Sequence, residues 1–220
     1  MSYDYSFSLG RIGALEKKLI SPEYFYEILK FDFPEGLSKL REKFFGDLKD
    51  FEDIDMFFLK EEDYLYENLE VLLEEKLRIF LKKAFDLNFI SKNLNLLNSE
   101  YLKKYFLLSV KLEDALLDLR RKYLGIKKDL NLRDFPSSFI KEAQSLIDEG
   151  KIYLLHFLKI RFLLRFLEEF KKNLLGAEIV FWYFFNKKFQ YDILKFIIIC
   201  KMRKIEINKI KNVLEVSFGK

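Results

Sequence analysis

The sequence predicts an all-α protein, and two observations support this fold class. Turn-forming residues are scarce, since the 220 residues include only 8 Gly and 3 Pro, whereas helix formers and 25 Phe are abundant. Apolar residues recur at intervals of three and four, as on one helix face, and almost no segment alternates as a strand would. We therefore expect roughly eight to ten amphipathic helices in a compact or elongated multi-helix body.

The first elements are predicted from capping residues. A helix over residues 3–20 should stop at Ser21-Pro22, because Ser caps a helix and Pro fits the first turn of the next one. Gly46 should close the helix that contains LSKLREKFFG, since Gly is favoured just after a helix. Leucines at helical spacing predict one long amphipathic helix over residues 64–89.

The later elements are predicted from the same signals. Four Asn residues between positions 88 and 98 predict a loop. The helix that follows should span residues 99–124 and end at Gly125. Further helices are expected over residues 137–148 and 151–173.

Residues 126–136 form the most linker-like stretch of the chain, and two domain organisations remain open. The chain has an N-terminal helical half over residues 1–125 and a C-terminal half over residues 137–220, or it is one continuous domain with a long loop. Aromatic side chains of the C-terminal half should fill the core. Four of them are Phe162, Phe166, Trp182 and Phe185.

The sequence offers little for catalysis. His156, the only histidine, has no neighbour placed to form a catalytic dyad, so a structural helical histidine is favoured over a general base. One His and one Cys cannot build a usual zinc site, and no Gly-rich loop has phosphate-binding spacing. We expect a protein without its own active site, with no cofactor and no metal. Cys200, in the apolar run IIIC, should be a buried, reduced thiol.

Targeting signals and charge limit the location and the partners. No signal peptide opens the chain, and its longest apolar runs fall short of the roughly 20 residues that span a bilayer, which predicts a cytoplasmic protein. Residues 47–75 hold twelve acids against two lysines, whereas residues 187–220 hold nine bases against three acids. This asymmetry favours two unlike partners or two solvated helix faces. A nucleic-acid partner is disfavoured, because the acidic stretch would repel it.

Residues 177–214 carry a resemblance to a known family. An aromatic and aliphatic helix with several lysines leads through a short break to a second small amphipathic helix at residues 206–214. This layout resembles the C-terminal signature of the C/d family, the spacer subunits of V-type and A-type rotary ATPases and ATP synthases. Seven positions fall on that pattern, namely Lys187, Lys195, Ile197, Lys201, Ile205, Ile210 and Leu214.

Two further segments are similar to the same family. Residues 5–29 look like its opening, in which a helix with Tyr and Arg stops before an aromatic helix. The matching positions there are Arg11, Leu15, Glu16, Leu19, Ile20, Tyr24 and Leu29. In the middle of the chain, Arg120 fits a family helix that ends in Arg. Family members are longer and have three similar helical domains, so this chain looks like a shortened, bacterial-type form.

The resemblance implies a non-catalytic spacer. In the family, the spacer subunit sits on the proteolipid rotor ring and receives the central stalk. In this way it couples ion translocation to ATP synthesis or hydrolysis. The expected partners are the other proteins of the ATPase, and the membrane is reached only through the complex. The expected location is therefore cytoplasmic and peripheral, on the inner face of the cell membrane. A stand-alone α-helical adaptor for protein interactions is the alternative.

Six basic residues are candidates for docking against acidic stalk or ring surfaces. They are Arg11, Arg120, Arg121, Lys187, Lys195 and Lys201. All but Arg121 fall on the resembled motifs, and the positive C-terminal segment should favour encounter with an acidic partner. A structural role is equally open, in which Arg120 and Lys195 pair with acids such as Asp118 and Asp192.

Overall fold

A computed structural model describes residues 5–31, 35–46, 53–126, 136–171 and 176–219. The helices are α1 Ser6–Leu15, α2 Pro22–Ile28, α3 Glu35–Ser38, α4 Ile54–Glu70, α5 Glu75–Lys82, α6 Leu87–Asn93, α7 Glu100–Tyr123, α8 Ser137–Asp148, α9 Leu155–Phe170, α10 Ala177–Met202 and α11 Ile207–Phe218. Short 3₁₀ turns lie at Glu16–Lys18, Arg41–Lys43, Leu94–Leu96 and Ile152–Leu154. The described residues contain no strand, so the predicted all-α class is confirmed.

The predicted boundary at Ser21-Pro22 is correct, but two neighbouring predictions need correction. Ser21 is the N-cap of α2 and Pro22 its first residue, although the Ser21 side chain makes no capping hydrogen bond. The first helix is shorter than expected, because α1 ends at Leu15 and continues as a 3₁₀ turn. Gly46 ends no helix. Its N–H donates to the carboxylate of Glu61, and a Cβ at this position would lie 2.9 Å from Glu61 Oε1.

The single long helix predicted over residues 64–89 is wrong, because the chain forms parts of three helices there. Asp53 begins α4 by accepting hydrogen bonds from the N–H groups of Asp55 and Met56. The chain leaves α4 after Glu70, and α5 begins at Glu75. The leucine periodicity runs through this break, since Leu72 and Leu73 between the helices are themselves buried.

The Asn-rich region is also helical rather than a loop. Asp86 caps α6 by accepting a hydrogen bond from Phe89 N–H, and a 3₁₀ turn follows α6 directly. The next prediction is confirmed. Ser99 caps α7 by accepting from Leu102 N–H, and Gly125, with φ 71°, lies just beyond the end of α7.

The chain divides into two compact units, each made of two stretches of sequence. One comprises Met1–Ala84 and Phe170–Leu214, and the other comprises Phe85–Glu169 and Glu215–Lys220. Residues 127–135, the greater part of the predicted linker, lie outside the described residues. The division into halves 1–125 and 137–220 stays a prediction.

In the first unit, α10 is the central element and packs against α1 and α4. Nearly every residue from Ala177 to Phe189 is buried, as expected of a helix that is apolar on all sides. The rings of Phe44, Phe57, Phe58 and Tyr191 pack together, with centroid distances of 5.1 Å for Phe44–Phe57 and 5.8 Å for Phe58–Tyr191. Such aromatic pairs contribute about 0.5–1.5 kcal/mol each beyond the burial of their area.

In the second unit, α7 packs against α8, and α9 supplies aromatic and charged contacts. The Tyr101 hydroxyl donates to the Phe166 carbonyl at 3.2 Å, and the Phe139 and Phe162 rings meet edge to face at 5.1 Å. Lys159 and Glu113 form an ion pair between α9 and α7.

The expected burial of particular side chains is confirmed in part. Trp182 and Phe185 are buried, whereas Phe162 and Phe166 are half-buried. Cys200 is a buried free thiol, as expected. Within the described residues, no helix combines the length and the apolar character needed to cross a membrane.

Candidate docking residues and the buried lysine cluster

Lys187 lies in the core of the first unit. It is four residues after Tyr183 and four before Tyr191, so it shares their face of α10, and its exposed fraction is 0%. Its Nζ donates to the carbonyl oxygens of Lys18 and Lys43, at 2.6 Å each. The ammonium also lies 4.9 Å from the ring centroid of Tyr191. A buried charge is tolerated when it is hydrogen-bonded in this way.

The two carbonyl groups explain why a lysine stands at this position. Lys18 and Lys43 each end a 3₁₀ turn, at Glu16–Lys18 and Arg41–Lys43. Carbonyl groups at helix ends lack an intrahelical partner, and a buried carbonyl without a donor is costly. A lysine supplies three donors at the tip of a long side chain. Lys187 therefore ties two turns of the N-terminal region to α10.

The protonation of Lys187 reflects this environment. Burial lowers its pKa from the usual value of 10.5 to about 7. The nearby Glu61 carboxylate opposes the shift, while the positive charges of Lys18 and Lys43 add to it. The side chain therefore exchanges its proton near neutral pH and can donate to both carbonyls in either state.

Glu61, on α4, is the acidic counterpart of Lys187 and is also buried. Its carboxylate accepts hydrogen bonds from the N–H of Phe45 at 2.9 Å and of Gly46 at 2.5 Å. It also accepts from the hydroxyl of Tyr191 at 2.7 Å. Burial and the Glu61 charge raise the pKa of Tyr191 well above its usual value. Glu61 thus holds residues 45–46 against α4 and α10.

Two further side chains of α10 hold the N-terminal region. Gln190 accepts from Ile20 N–H at 2.9 Å and donates to Ile20 C=O at 3.0 Å. Lys201 Nζ donates to the Ile28 carbonyl at 2.9 Å and to the Phe31 carbonyl. The Ile28 carbonyl ends α2, where a cation is favoured by the helix dipole, and the Phe31 carbonyl lies three residues further on. Gln190 and Lys201 therefore serve the backbone of this chain.

The remaining basic residues of α10 pair with the acidic stretch of α4. Lys195 lies 2.5 Å from Asp55. The partner expected from the sequence, if Lys195 had a structural role, was Asp192. Lys188 contacts Glu62 at 2.8 Å and Asp192 at 2.6 Å. Part of the charge asymmetry seen in the sequence is therefore neutralised inside the first unit.

The three arginine candidates have mixed surroundings. Arg11 donates to the side-chain oxygen of Asn68 at 3.1 Å, which joins α1 to α4. Arg121 is half exposed and lies 3.7 Å from Asp118, the acid expected to pair with Arg120. Arg120 is half-buried on α7. For Glu113, burial raises the pKa, but the hydrogen bond and charge of Lys159, with the charge of Arg120, lower it overall.

The structure thus divides the six docking candidates. Arg11, Lys187, Lys195 and Lys201 belong to the first unit, whereas Arg120 and Arg121 lie on α7 in the second. The docking prediction for Lys187 needs correction, because a fully buried ammonium cannot reach a partner. Lys201 is engaged with backbone carbonyls in the same way.

Sequence reasoning does not identify Glu61, Gln190 and Gly46 as parts of the buried hydrogen-bond network around Lys187. The pair Glu61-Glu62 has the pattern of a solvated acidic face, and nothing in the sequence assigns Gln190 a structural role. One signal is available, since Lys187 is spaced four residues from Tyr183 and Tyr191 in a helix that is apolar on all sides. A lysine at such a position has no route to solvent.

His156, the residue considered for catalysis, belongs to the second unit. His156 is exposed on α9, with its ring 5.5 Å from that of Phe157. Across the described ranges, no group of three or more His, Cys, Asp or Glu side chains is placed to hold a metal ion.

The fold and the site define an all-α protein in which one long buried helix uses its polar side chains to fasten the N-terminal backbone. No protein-family model matches the chain, and searches of curated proteins and of solved structures find no match. The resemblance to the C/d family of rotary ATPases therefore stays a prediction.

Proposed function

We propose that this protein is a non-catalytic central-stalk component of a V/A-type rotary ATPase. In this role it links the membrane rotor ring to the stalk and couples ion translocation to ATP synthesis or hydrolysis. It would lie in the cytoplasm against the inner face of the membrane, held there by the rotor proteolipids and the other stalk proteins.

One observation carries the proposal. Two of the three segments that resemble the family, residues 5–29 and 177–214, lie in the same compact unit and contact each other directly. Gln190 binds the backbone of Ile20, and Lys201 binds the carbonyl of Ile28. Segments about 170 residues apart in sequence therefore form one substructure, which is what is expected if both belong to a single structural signature.

The packing of the first unit suits a torque-bearing part. A spacer between a rotor ring and a stalk must resist twisting, and close-packed aromatic side chains give an interior of low compressibility. The rings around Tyr191 and the hydrogen bonds of Glu61 and Lys187 join α4, α10 and two turns. This packing supports the proposed mechanical role.

Co-purification from native membranes tests the proposal. The tagged full chain should bring down the catalytic, stalk and proteolipid proteins of the ATPase, identified by mass spectrometry, whereas an equally tagged unrelated helical protein should not. A preparation without ATPase proteins, but with another defined partner in constant ratio, would favour the adaptor instead. Genes for ATPase proteins beside this one are expected as a second, independent sign.

The absence of an active site is tested separately. Homogeneous protein is expected to show no ATP turnover above a buffer blank, and the His156→Gln variant should behave identically. Turnover that purifies with the protein and disappears in that variant would contradict the non-catalytic role.

A further inference from the structure

The turn between α10 and α11 is exposed along its whole length. Residues 202–209 are all exposed, and three of them are aliphatic. Met202 is 56% exposed, Ile205 37% and Ile207 51%. Four basic residues, Arg203, Lys204, Lys209 and Lys211, stand against the single acid Glu206, which gives residues 202–211 a net charge of +3. Apolar and positive groups are therefore presented together.

The backbone of this turn carries a cost that two equivalent turns avoid. Among the described residues, α7, α8 and α10 end in the same motif, in which two N–H groups beyond the helix bond back to its last carbonyls. After α7 and α8, the left-handed position is Gly125 or Gly150, each with φ 71°. After α10 it is Lys204, with φ 53°, while Lys204 N–H bonds to Lys201 and Ile205 N–H to Cys200.

A residue other than glycine is disfavoured in this conformation, because its Cβ crowds the backbone. Neighbouring contacts in the fold do not account for the lysine, since Lys204 is exposed. A strained residue that places a positive charge between exposed aliphatic side chains is the pattern of a functional contact. The strain and the exposed aliphatic groups are two separate observations about one surface.

We propose that residues 202–211 are a docking surface for an acidic segment of a partner protein. The aliphatic side chains of that segment cover Met202, Ile205 and Ile207, and its carboxylates face Arg203, Lys204, Lys209 and Lys211. Charge complementarity selects the acidic character, and the three exposed aliphatic residues require apolar groups between the carboxylates. The partner is defined here by chemistry alone, so the inference stands apart from the proposed function.

An anionic lipid surface offers the same charge but fits this turn less well. Surface-bound segments usually anchor through Trp, Tyr or Phe at the headgroup level. The chain has 25 Phe, 12 Tyr and one Trp, yet none lies in residues 202–211. Methionine and arginine, present in this turn as Met202 and Arg203, are instead enriched at contacts between proteins.

Site-specific photocrosslinking tests the surface in the full chain within its native host. Benzoylphenylalanine replaces Ile207, and the control carries it at Ile79, an exposed isoleucine of α5. The position-207 protein should form one main adduct, which maps to a partner segment with net negative charge and aliphatic residues. An adduct with a second copy of this chain, or no adduct above the position-79 control, would overturn the proposal.

Charge reversal tests whether the basic residues of this turn contribute to binding the partner. In the position-207 protein, Arg203→Glu with Lys204→Glu should lower the adduct yield about fivefold or more, as expected for a loss near 1 kcal/mol. Lys76→Glu with Lys92→Glu changes the net charge equally at exposed sites on α5 and α6 and should leave the yield unchanged. Equal losses in both variants would show only a general charge effect and contradict the proposal.

The Lys204→Gly variant distinguishes the backbone strain at residue 204 from the contact of the Lys204 side chain with the partner. It should raise the melting temperature by about 2–4 °C, because the left-handed residue becomes glycine, and should lower the adduct yield. A higher melting temperature with unchanged yield in this variant and in the double reversal would overturn the proposal.

Vesicles with about 30% phosphatidylserine in phosphatidylcholine test binding to a lipid surface. Binding to them that is lost on double reversal, without a protein adduct, would assign the turn to the membrane instead.

The docking surface at residues 202–211 and the proposed rotary-ATPase role can each fail without the other. An adduct with an acidic segment of a protein outside the ATPase would support the docking surface and contradict the proposed function. Co-purification of ATPase proteins without an adduct at position 207 would do the reverse.

Discussion

Helix α10 and the turn that follows it use basic residues in opposite ways. Within α10, Lys187 and Lys201 bind carbonyl groups of this chain. Just beyond the end of α10, Arg203 and Lys204 are exposed, and Lys204 takes a strained backbone conformation. The difference shows that a run of basic residues does not define a docking surface. The surroundings of each ammonium decide whether it serves the fold or can meet a partner.

The largest expected effect comes from removing the buried acid of the cluster. Glu61→Ala leaves two N–H groups and the Tyr191 hydroxyl without an acceptor and removes the charge facing Lys187. We expect a loss of about 3–5 kcal/mol in unfolding free energy. Urea unfolding followed by fluorescence of Trp182, the only tryptophan, measures it within the first unit.

The matched control for Glu61 is Glu62→Ala. Glu62 lies next in sequence but is partly exposed, and its ion pair with Lys188 is retained in part by Asp192. Its loss should cost less than about 1 kcal/mol. Equal effects of the two substitutions would show that the buried cluster is not special.

Lys187→Met should have the next largest effect. The methionine keeps an apolar side chain of similar length but leaves the carbonyls of Lys18 and Lys43 without a donor. At pH 9, where Lys187 is neutral in the folded state, we expect a loss of about 1–3 kcal/mol for each carbonyl that water does not reach. A variant as stable as the parent at this pH would mean that the two hydrogen bonds contribute nothing.

The pH dependence of stability should change in the same variant. Lys187 has a folded pKa of about 7 against 10.5 as the usual value, so between these pH values the unfolded chain binds the additional proton. Stability should therefore rise with pH in this window, by up to about 1.4 kcal/mol per pH unit from this residue. The difference between parent and Lys187→Met isolates the effect from other groups. A difference that does not vary from pH 6 to pH 10 would contradict the shift.

The smallest effect is expected at Lys195. Its partner Asp55 is 69% exposed, and Lys195 itself is 36% exposed, so water screens the ion pair. Lys195→Met should change the unfolding free energy by no more than about 1 kcal/mol, and added salt should reduce the difference further. A loss as large as that of Lys187→Met would remove the contrast between buried and exposed lysines.

Local chemistry in the sequence predicted several elements correctly. Ser99 and Gly125 mark the ends of α7, because a side-chain acceptor and a left-handed residue satisfy groups that every helix leaves open. Ser21-Pro22 marks the start of α2 for similar reasons. The all-α class followed from apolar spacing and from the scarcity of turn-forming residues.

Other features depend on contacts that a linear pattern does not show. The break between α4 and α5 carries no Gly or Pro, and buried Leu72 and Leu73 preserve the helical spacing across it. Gly46 has the pattern of a helix end, but it is a close approach to Glu61, fifteen residues further along the chain. The positive φ of Lys204 is not predictable from the sequence, since glycine is the usual residue there.

The most direct test is an NMR titration of the lysine side chains, since the central claim is that Lys187 is a buried structural residue. With ¹³C at the lysine Cε position, one resonance is expected to titrate near pH 7 and to be absent in Lys187→Met. A spectrum with no lysine resonance that titrates near pH 7, or with one that persists in Lys187→Met, would contradict the burial of Lys187.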